Sequence, residues 1–285
     1  MDNPQRSDPE PAAAPEHPIA GEASRVIATR RASYAKGHHI APHWHARAQL
    51  IYAVEGTMTV RSRRQAWIVP PSRALWMPPR IVHEIRMHSA VEMHSLYLTP
   101  PAVAGMPTQS VVLEVTPLMR ELVVRAVALP AQHDDAGGDG LLLRLLLVEL
   151  TRLRHCALHL PLPASGDLMQ LCERILADLS ARRPCAQDAG EMNLSTRTLY
   201  RRFLAETGVT FARWKQQARV LESIRRLAGG SSVTEVALDL GYESTSAFST
   251  MFRRSVGVAP REFIGGAGVE GRERLRGRGA AGQRS

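Results

Sequence analysis

The stretch Ser195-Thr-Arg-Thr-Leu-Tyr-Arg-Arg-Phe-Leu-Ala-Glu-Thr-Gly-Val209 recurs 49 positions later as Ser244-Thr-Ser-Ala-Phe-Ser-Thr-Met-Phe-Arg-Arg-Ser-Val-Gly-Val258. Each copy begins with a serine that can cap a helix, ends near a glycine, and spaces two apolar residues four positions apart. The apolar residues fall on one helix face and polar groups fall on the other, as a recognition helix requires. A repeat of this length indicates one supersecondary unit used twice.

The segment before each copy predicts a second, supporting helix. Residues 233–240 form an amphipathic pattern of two turns that stops at Gly241, and helix, glycine turn and capped helix make a helix-turn-helix unit. The first copy aligns if its turn is one residue shorter, which places Asp188 where the second copy has Val236 and puts Gly190 inside the helix. An interior glycine costs about 1 kcal/mol relative to alanine, so we expect the first supporting helix to be less stable.

Residues 211–227 predict one connecting helix of roughly 26 Å. That length suits two recognition helices in successive major grooves, which lie roughly 34 Å apart. A helical bundle without a DNA role is the alternative, and the charge argues against it. Residues 182–285 carry +8 of the net charge of +9, almost entirely as arginine, which binds phosphate and guanine through paired hydrogen bonds. The phenylalanines of the repeat are expected in the core.

Residues 185–265 resemble the DNA-binding domain of AraC/XylS-family transcription regulators. The similarity rests on residues 193–203, 207–208, 236–244, 247–249, 252–254 and 257–260. It implies a sequence-specific regulator that binds double-stranded promoter DNA. By this resemblance the residues that face bases are Thr196, Arg197, Tyr200 and Arg201 in the first unit and Thr245, Ser246, Ser249 and Thr250 in the second. Because Arg253 and Arg254 end a recognition helix in a basic domain, we expect phosphate contact from at least one of them.

The N-terminal half has a different pattern. Between about residues 26 and 98, short β-prone runs alternate with turn signals, which indicates an all-β sandwich or barrel. The predicted fold class is therefore α+β with two domains: a cupin-like β-barrel with a helical linker, then an all-α domain with two helix-turn-helix units. The predicted boundaries are 1–22 for a disordered tail, 23–100 for the barrel, 101–165 for a linker that dimerises, 166–265 for the DNA-binding domain and 266–285 for a flexible basic tail.

The barrel contains a possible metal or effector site. Gly37-x5-His43-x-His45-x3-Gln49-x6-Gly56 matches the first cupin motif in spacing, with glutamine in place of glutamate, and Pro78-x4-His83 matches the core of the second. Histidines two apart on a strand project to the same side. Three imidazoles and an amide oxygen are suitable ligands for a divalent ion such as zinc, nickel, iron or manganese. In the alternative interpretation, the histidines bond to a small-molecule effector or to one another.

This half also resembles the cupin-type sensor of AraC-family regulators, through residues 47–56 and 67–79. Members of that subgroup are often associated with adjacent exporter genes. Between the domains, residues 116–129 predict a helix with Leu118, Leu122 and Val123 at helical spacing, and residues 141–160 predict a second, leucine-rich helix. Its charged residues exclude a membrane span, and leucines on more than one side favour a homodimer.

The expected function is transcription control by an effector bound in the barrel, with RNA polymerase as a candidate partner and without enzyme activity. The first unit is expected to supply most base discrimination and the second to anchor the protein. A metal-dependent cupin enzyme of dioxygenase or isomerase type, with an accessory DNA-binding domain, is the alternative. No apolar leader segment opens the sequence and the three cysteines lack metal spacing, which predicts a cytoplasmic protein without a membrane partner.

Overall fold

The structure, a computed structural model, describes residues 14–17, 25–130, 132–156, 158–181 and 183–264. The tails predicted at 1–22 and 266–285 lie outside the described residues, apart from 14–17. The described residues divide into two compact units, one within 1–63 and 73–157 and the other within 64–72 and 158–285. The short segment 64–72 thus clusters with the C-terminal unit, although the sequence pattern assigned it to the barrel.

The described strands are β1 (Ile27–Tyr34), β2 (His39–His43), β3 (Ala48–Glu55), β4 (Met58–Ser62), β5 (Gln65–Val69), β6 (Arg73–Met77), β7 (His83–Met87), β8 (Val91–Leu98), β9 (Val111–Glu114), β10 (His155–Cys156) and β11 (His159–Pro161). The described α-helices are α1 (Pro117–Val127), α2 (Gly138–Arg152), α3 (Gly166–Ala177), α4 (Cys185–Glu191), α5 (Thr196–Thr207), α6 (Phe211–Ala228), α7 (Val233–Asp239) and α8 (Thr245–Val256).

In the first unit, six strands form an antiparallel sheet in the order β1-β8-β3-β6-β9-β10, and β4, β7 and β2 pair antiparallel in a second sheet. Successive side chains of a strand point to opposite faces, and the sequence of β3 uses both. Leu50 and Tyr52 join Trp76 and the inward faces of α1 and α2 in one apolar core. Gln49 alternates with them and therefore faces the other side, toward the interior of the β-structure.

The linker helices differ from the prediction in two respects. In α1, Met119 is buried and Leu118 is 50% exposed, so the inward stripe is Met119, Leu122 and Val123. Helix α2 ends at Arg152, because the chain then turns into β10, which pairs with β9. The predicted helix over 141–160 was therefore wrong in its last turns, where two prolines follow at 161 and 163.

In the second unit, β5 pairs antiparallel with β11, and α3 to α8 supply the helices. The connecting helix α6 spans 18 residues and buries the predicted stripe of Trp214, Ala218, Leu221, Ile224 and Leu227. The Trp214 indole N–H donates to the Pro161 carbonyl oxygen at 2.7 Å, which ties α6 to β11. No described helix is long and apolar enough to cross a membrane.

Candidate functional site

The two helix-turn-helix units have the same backbone plan. Helices α4 and α7 have seven residues each, and α5 and α8 have twelve each. After each supporting helix the chain passes through a left-handed residue, Asn193 at φ 54° and Gly241 at φ 76°. The next amide donates back to an equivalent carbonyl, Ala189 in the first unit and Ala237 in the second, both at 2.9 Å. This equivalence confirms the alignment with a first turn that is one residue shorter.

The supporting helices differ in their ends and interiors. Ser232 and Glu235 form a complete capping box at the start of α7, whereas Pro184 gives α4 no side-chain cap. Gly190 lies inside α4. The buried position held by Val236 in α7 is Asp188 in α4, with 1% exposure. The first supporting helix therefore lacks the local features that stabilise the second.

Both recognition helices are fixed in the same way. Ser195 accepts from the Thr198 amide and Ser244 from the Ala247 amide, while Gly208 and Gly257 end the helices in the left-handed conformation. The buried seam is Leu199 and Phe203 in α5 and Phe248 and Phe252 in α8, all 0% exposed. The expectation that these phenylalanines belong to the core is confirmed.

The structure places the predicted DNA-contact residues on the outward sides of α5 and α8. In α5, Arg197, Tyr200 and Arg201 are exposed and Thr196 is half-buried; in α8, Thr245, Ser246, Thr250, Arg253 and Arg254 are exposed and Ser249 is half-buried. Within the part of the chain that the structure describes, Arg197 and Arg201 form no ion pair, whereas Arg202 binds Asp167 at 2.9 Å. The two outward arginines of α5 therefore remain available for a polyanion.

In the other unit, the predicted histidines converge in the interior. His43 ends β2 and His83 begins β7, and the two are register partners with ring centroids 4.4 Å apart. His45 follows just after β2, with its ring 5.0 Å from that of His43 and 5.7 Å from that of His83. One ring nitrogen from each of the three lies within 4.8 Å of the others.

Backbone carbonyls fix the orientation of all three rings. Nδ1–H of His43 donates to the Ala41 carbonyl at 2.8 Å and that of His83 to the Ile81 carbonyl at 2.9 Å. Nδ1–H of His45 donates to the His17 carbonyl at 2.9 Å. A carbonyl only accepts, so each Nδ1 carries the proton and each Nε2 presents a lone pair. Among the described residues, Nε2 of His45 and of His83 is buried without a hydrogen-bond partner.

The electrostatics keep these imidazoles neutral. Burial, which penalises the charged form, is the main cause that lowers the pKa of His43, of His45 to about 4 and of His83 to about 3. The charge of the neighbouring histidines lowers the three pKa values further, whereas the hydrogen bonds to carbonyls raise them. At neutral pH the pocket therefore contains three uncharged imidazoles that are competent as ligands.

Gln49 is linked to the histidine cluster through Tyr97, and its amide is oriented by hydroxyl groups. Its Nε2 donates to the hydroxyls of Ser95 and Tyr97, both at 3.2 Å, and its Oε1 is buried without a partner among the described residues. The Tyr97 ring is 4.9 Å from that of His45. No sequence motif points to Tyr97 or to His17, whose ring centroid lies 5.5 Å from that of His43.

Comparison with known proteins agrees with both units. Residues 27–150 match the model of an AraC-like ligand binding domain, and residues 189–265 match a helix-turn-helix domain. The HTH-type transcriptional regulator NimR of Escherichia coli is 32% identical over 222 residues, which cover 78% of this chain and 81% of that one. RipA of Corynebacterium glutamicum is 31% identical over 106 residues, 37% of this chain and 32% of that one. A crystal structure of ToxT from Vibrio cholerae aligns over 84% of this chain and 98% of its own, at 12% identity and a TM-score of 0.36.

A ligand-binding β-domain and a double helix-turn-helix domain in one chain define a DNA-binding regulator with a ligand-binding domain. This chain belongs to the AraC family of helix-turn-helix transcription regulators. The predicted family and fold class are confirmed, and the protein is a regulator rather than an enzyme, as its named relatives are. The expected exporter gene concerns gene order and stays a prediction.

Proposed function

We propose that this regulator responds to a divalent transition-metal ion held by His43, His45 and His83, and that the ion changes its affinity for promoter DNA. The observation that carries the proposal is the hydrogen bonding of the three rings. Metal-binding histidines usually donate their second ring N–H to a carbonyl or carboxylate, which fixes the tautomer. All three rings have that arrangement.

The donor set favours a cation. A buried acceptor without a partner costs about 1–3 kcal/mol, and among the described residues of the histidine cluster Nε2 of His45 and Nε2 of His83 are such acceptors. These atoms can only accept at neutral pH, so a carboxylate or phosphate would gain nothing from them. Imidazole suits zinc, nickel and iron better than manganese, which prefers oxygen ligands. When bound, the ion would accept these lone pairs and so satisfy the buried acceptors.

An organic effector with several N–H donors is the second candidate. The neutral Gln49 favours it, because an amide oxygen is a weaker metal ligand than the carboxylate usual at this position, yet it readily accepts from N–H groups. The two candidates make different demands on the histidines. A metal requires the three Nε2 lone pairs together, whereas an organic donor would tolerate the loss of one ring.

Metal analysis of purified full-length protein tests the proposal. We expect stoichiometric zinc, nickel or iron in the wild type, its loss in His43→Ala and His83→Ala, and its retention in His39→Ala, an exposed histidine on the same strand. Operator affinity should then change when a chelator removes the metal from the wild type but not from His83→Ala. A wild type that takes up no metal, or whose operator affinity ignores the chelator, would contradict the proposal.

We also propose that α5 and α8 contact bases and phosphates through the predicted residues. Arg197, Tyr200 and Arg201 give α5 long side chains for base recognition, and Thr245, Ser246, Ser249 and Thr250 give α8 short hydroxyls. Arg253 and Arg254 would contact phosphate. This chemistry supports a division of labour in which α5 discriminates bases and α8 sets register. The unpaired state of Arg197 and Arg201 among the described residues supports the same assignment.

The proposal also includes the oligomeric state, a protein partner and the cellular location. Leu141, Leu145 and Val148 are 62%, 45% and 45% exposed and recur on one face of α2, which supports a homodimer in which a second copy covers this stripe. RNA polymerase is the proposed partner of the promoter-bound protein. Because the proposed binding partner is promoter DNA, the cytoplasm is the proposed location.

A further inference from the structure

Residues 14–17 form part of the wall of the histidine pocket. The His17 amide donates to the Trp44 carbonyl at 2.9 Å, and the Trp44 amide donates to the Pro15 carbonyl at 3.3 Å. These bonds make a short parallel β-bridge between Glu16 and Trp44. The Trp44 indole N–H adds a third bond, to the Ala14 carbonyl at 3.0 Å. Three hydrogen bonds therefore hold this segment beside the residue that precedes His45.

The segment also determines which nitrogen His45 offers. His43 and His83 donate Nδ1–H to carbonyls two residues earlier in their own chain segments, Ala41 and Ile81. His45 has no such local acceptor in use, because its Nδ1–H donates to the carbonyl of His17, 28 residues away. The tautomer of His45 thus depends on a separate piece of chain. If residue 17 moved away, the Nδ1 proton would have no fixed acceptor and either tautomer would be accessible.

The His17 side chain lies at the same place. Its ring centroid is 5.5 Å from that of His43 and 5.8 Å from that of His45, in edge-to-face orientation to both. It is half-buried, whereas the neighbouring Glu16 is exposed. A fourth imidazole thus stands next to the cluster, and a four-coordinate ion bound by three histidines has one position left.

We infer that residues 14–17 complete the metal site: the His17 carbonyl fixes the tautomer of His45, and the His17 imidazole, which lies beside the three-histidine group and not within it, turns toward the ion as the fourth ligand. This inference rests on the proposed metal function. It has a thermodynamic consequence, since coupling between two sites is reciprocal. An ion that binds better when the segment is docked must also hold the segment in place, so metal binding and the order of residues 14–17 rise and fall together.

Cobalt titration of full-length variants tests the ligand role. Cobalt absorption reports coordination number, and competition with a chelator gives affinity. We expect His17→Ala to bind cobalt about 10–100-fold more weakly than the wild type and to change the absorption spectrum. Glu16→Ala, which alters the adjacent exposed side chain, should match the wild type. Equal affinity and equal spectra for His17→Ala and the wild type would overturn the ligand role.

Trp44→Phe tests the positioning role, because it removes the indole donor to Ala14 and retains an aromatic ring. In the metal-free protein, ¹⁵N signals of the His45 ring should show a larger fraction protonated at Nε2 than in the wild type, while those of His83 stay unchanged. Zinc should slow amide exchange at His17 and Trp44 in the wild type. Unchanged tautomers or unchanged exchange would overturn the positioning role. A wild type that binds none of cobalt, zinc and nickel would instead reject the metal proposal itself, and this inference with it.

Discussion

The carboxylate of Asp188, 1% exposed, lies 3.2 Å from the ammonium of Lys215 and joins supporting helix α4 to connecting helix α6. The Arg183 guanidinium lies on its other side, with Nε 3.7 Å from Oδ1. The Lys215 ammonium in turn lies over the Phe211 ring, 4.5 Å from its centroid. The centroid of the Phe211 ring is 4.9 Å from that of Phe203 in α5. Asp188, which occupies the position that Val236 holds in the second unit, is thus connected through three contacts to the core of the first recognition helix.

Removal of this carboxylate should destabilise the C-terminal unit. We expect Asp188→Ala to lower the free energy of unfolding by about 1–3 kcal/mol, less than for a fully buried pair because Lys215 can reach water. The double variant Asp188→Val with Lys215→Met should recover most of the loss, since an apolar pair of similar volume avoids the unpaired charge. Chemical denaturation measures both. If the double variant were less stable than Asp188→Ala, the ion pair would not explain the burial of Asp188.

Gly190 offers the opposite change in the same helix. A methyl group added at its Cα would have no atom from outside the helix within 4 Å, and the residue lies within the regular turns of α4. Gly190→Ala should therefore stabilise the unit by about 0.5–1 kcal/mol. Gly208→Ala is the matched control, because its surroundings are equally open but its φ is +73°, so the same methyl group should cost about 1–2 kcal/mol. Thermal unfolding of both variants should give shifts of opposite sign.

The arginines of α5 should determine operator recognition. We expect Arg197→Ala and Arg201→Ala each to weaken operator binding by about 1–3 kcal/mol and to reduce the ratio of specific to nonspecific affinity. Arg213→Ala removes an equal charge from an exposed position of α6 and should affect both affinities alike. Fluorescence anisotropy with operator and scrambled duplexes measures the ratio. If neither α5 variant changes it, base recognition lies elsewhere.

Acid should destabilise the metal-free ligand-binding unit. His45 and His83 have pKa values of about 4 and about 3 in the folded state, against the usual 6.5 when unfolded. The unfolded chain therefore binds more protons in this window, and the stability that is present above pH 6.5 falls as the pH drops toward the folded values. In denaturation curves from about pH 7 to about pH 4, His83→Gln should show a shallower decline than the wild type. His39→Ala should decline as the wild type does.

The exposed stripe on α2 should be the dimer contact. Leu145→Glu places a charge at its centre and should convert the dimer to a monomer in light scattering at micromolar concentration. Leu118→Glu, which changes another exposed leucine of the same unit, should leave the mass unchanged. A wild type that stays monomeric with and without DNA would remove the basis for a homodimer.

The sequence was sufficient for the helix-turn-helix repeat because capping, helix ends and buried seams are all local signals. It was also sufficient to group His43, His45 and His83, since strand periodicity and motif spacing bring them together. It failed where the controlling contacts are distant. The inward position of Met119 in place of Leu118 depends on the orientation of α1 against the sheet. The role of His17 depends on a carbonyl, which no side-chain pattern reveals.

Gln49 shows the same limit within a correct prediction. The motif placed it beside the histidines, but the direction of its amide is decided by Ser95 and Tyr97, which lie 46 and 48 residues away in the sequence. The assignment of segment 64–72 to the second unit is likewise a matter of packing, because β5 pairs with β11 from far along the chain. The local sequence pattern predicts the type of an element, but its packing partners depend on residues far away in the sequence.

The recognition helices α5 and α8 are built as similar modules because their ends match. Each begins at a capping serine, runs for twelve residues with two seam positions at the same spacing, and stops at a left-handed glycine. Residues 195–208 and 244–257 are therefore modules of equal length, although the turn before α5 is one residue shorter and the capping serines differ in φ, −72° at Ser195 and −154° at Ser244. If α5 and α8 contact bases as proposed, exchange of the two modules should change the preferred operator while the seam positions keep their spacing.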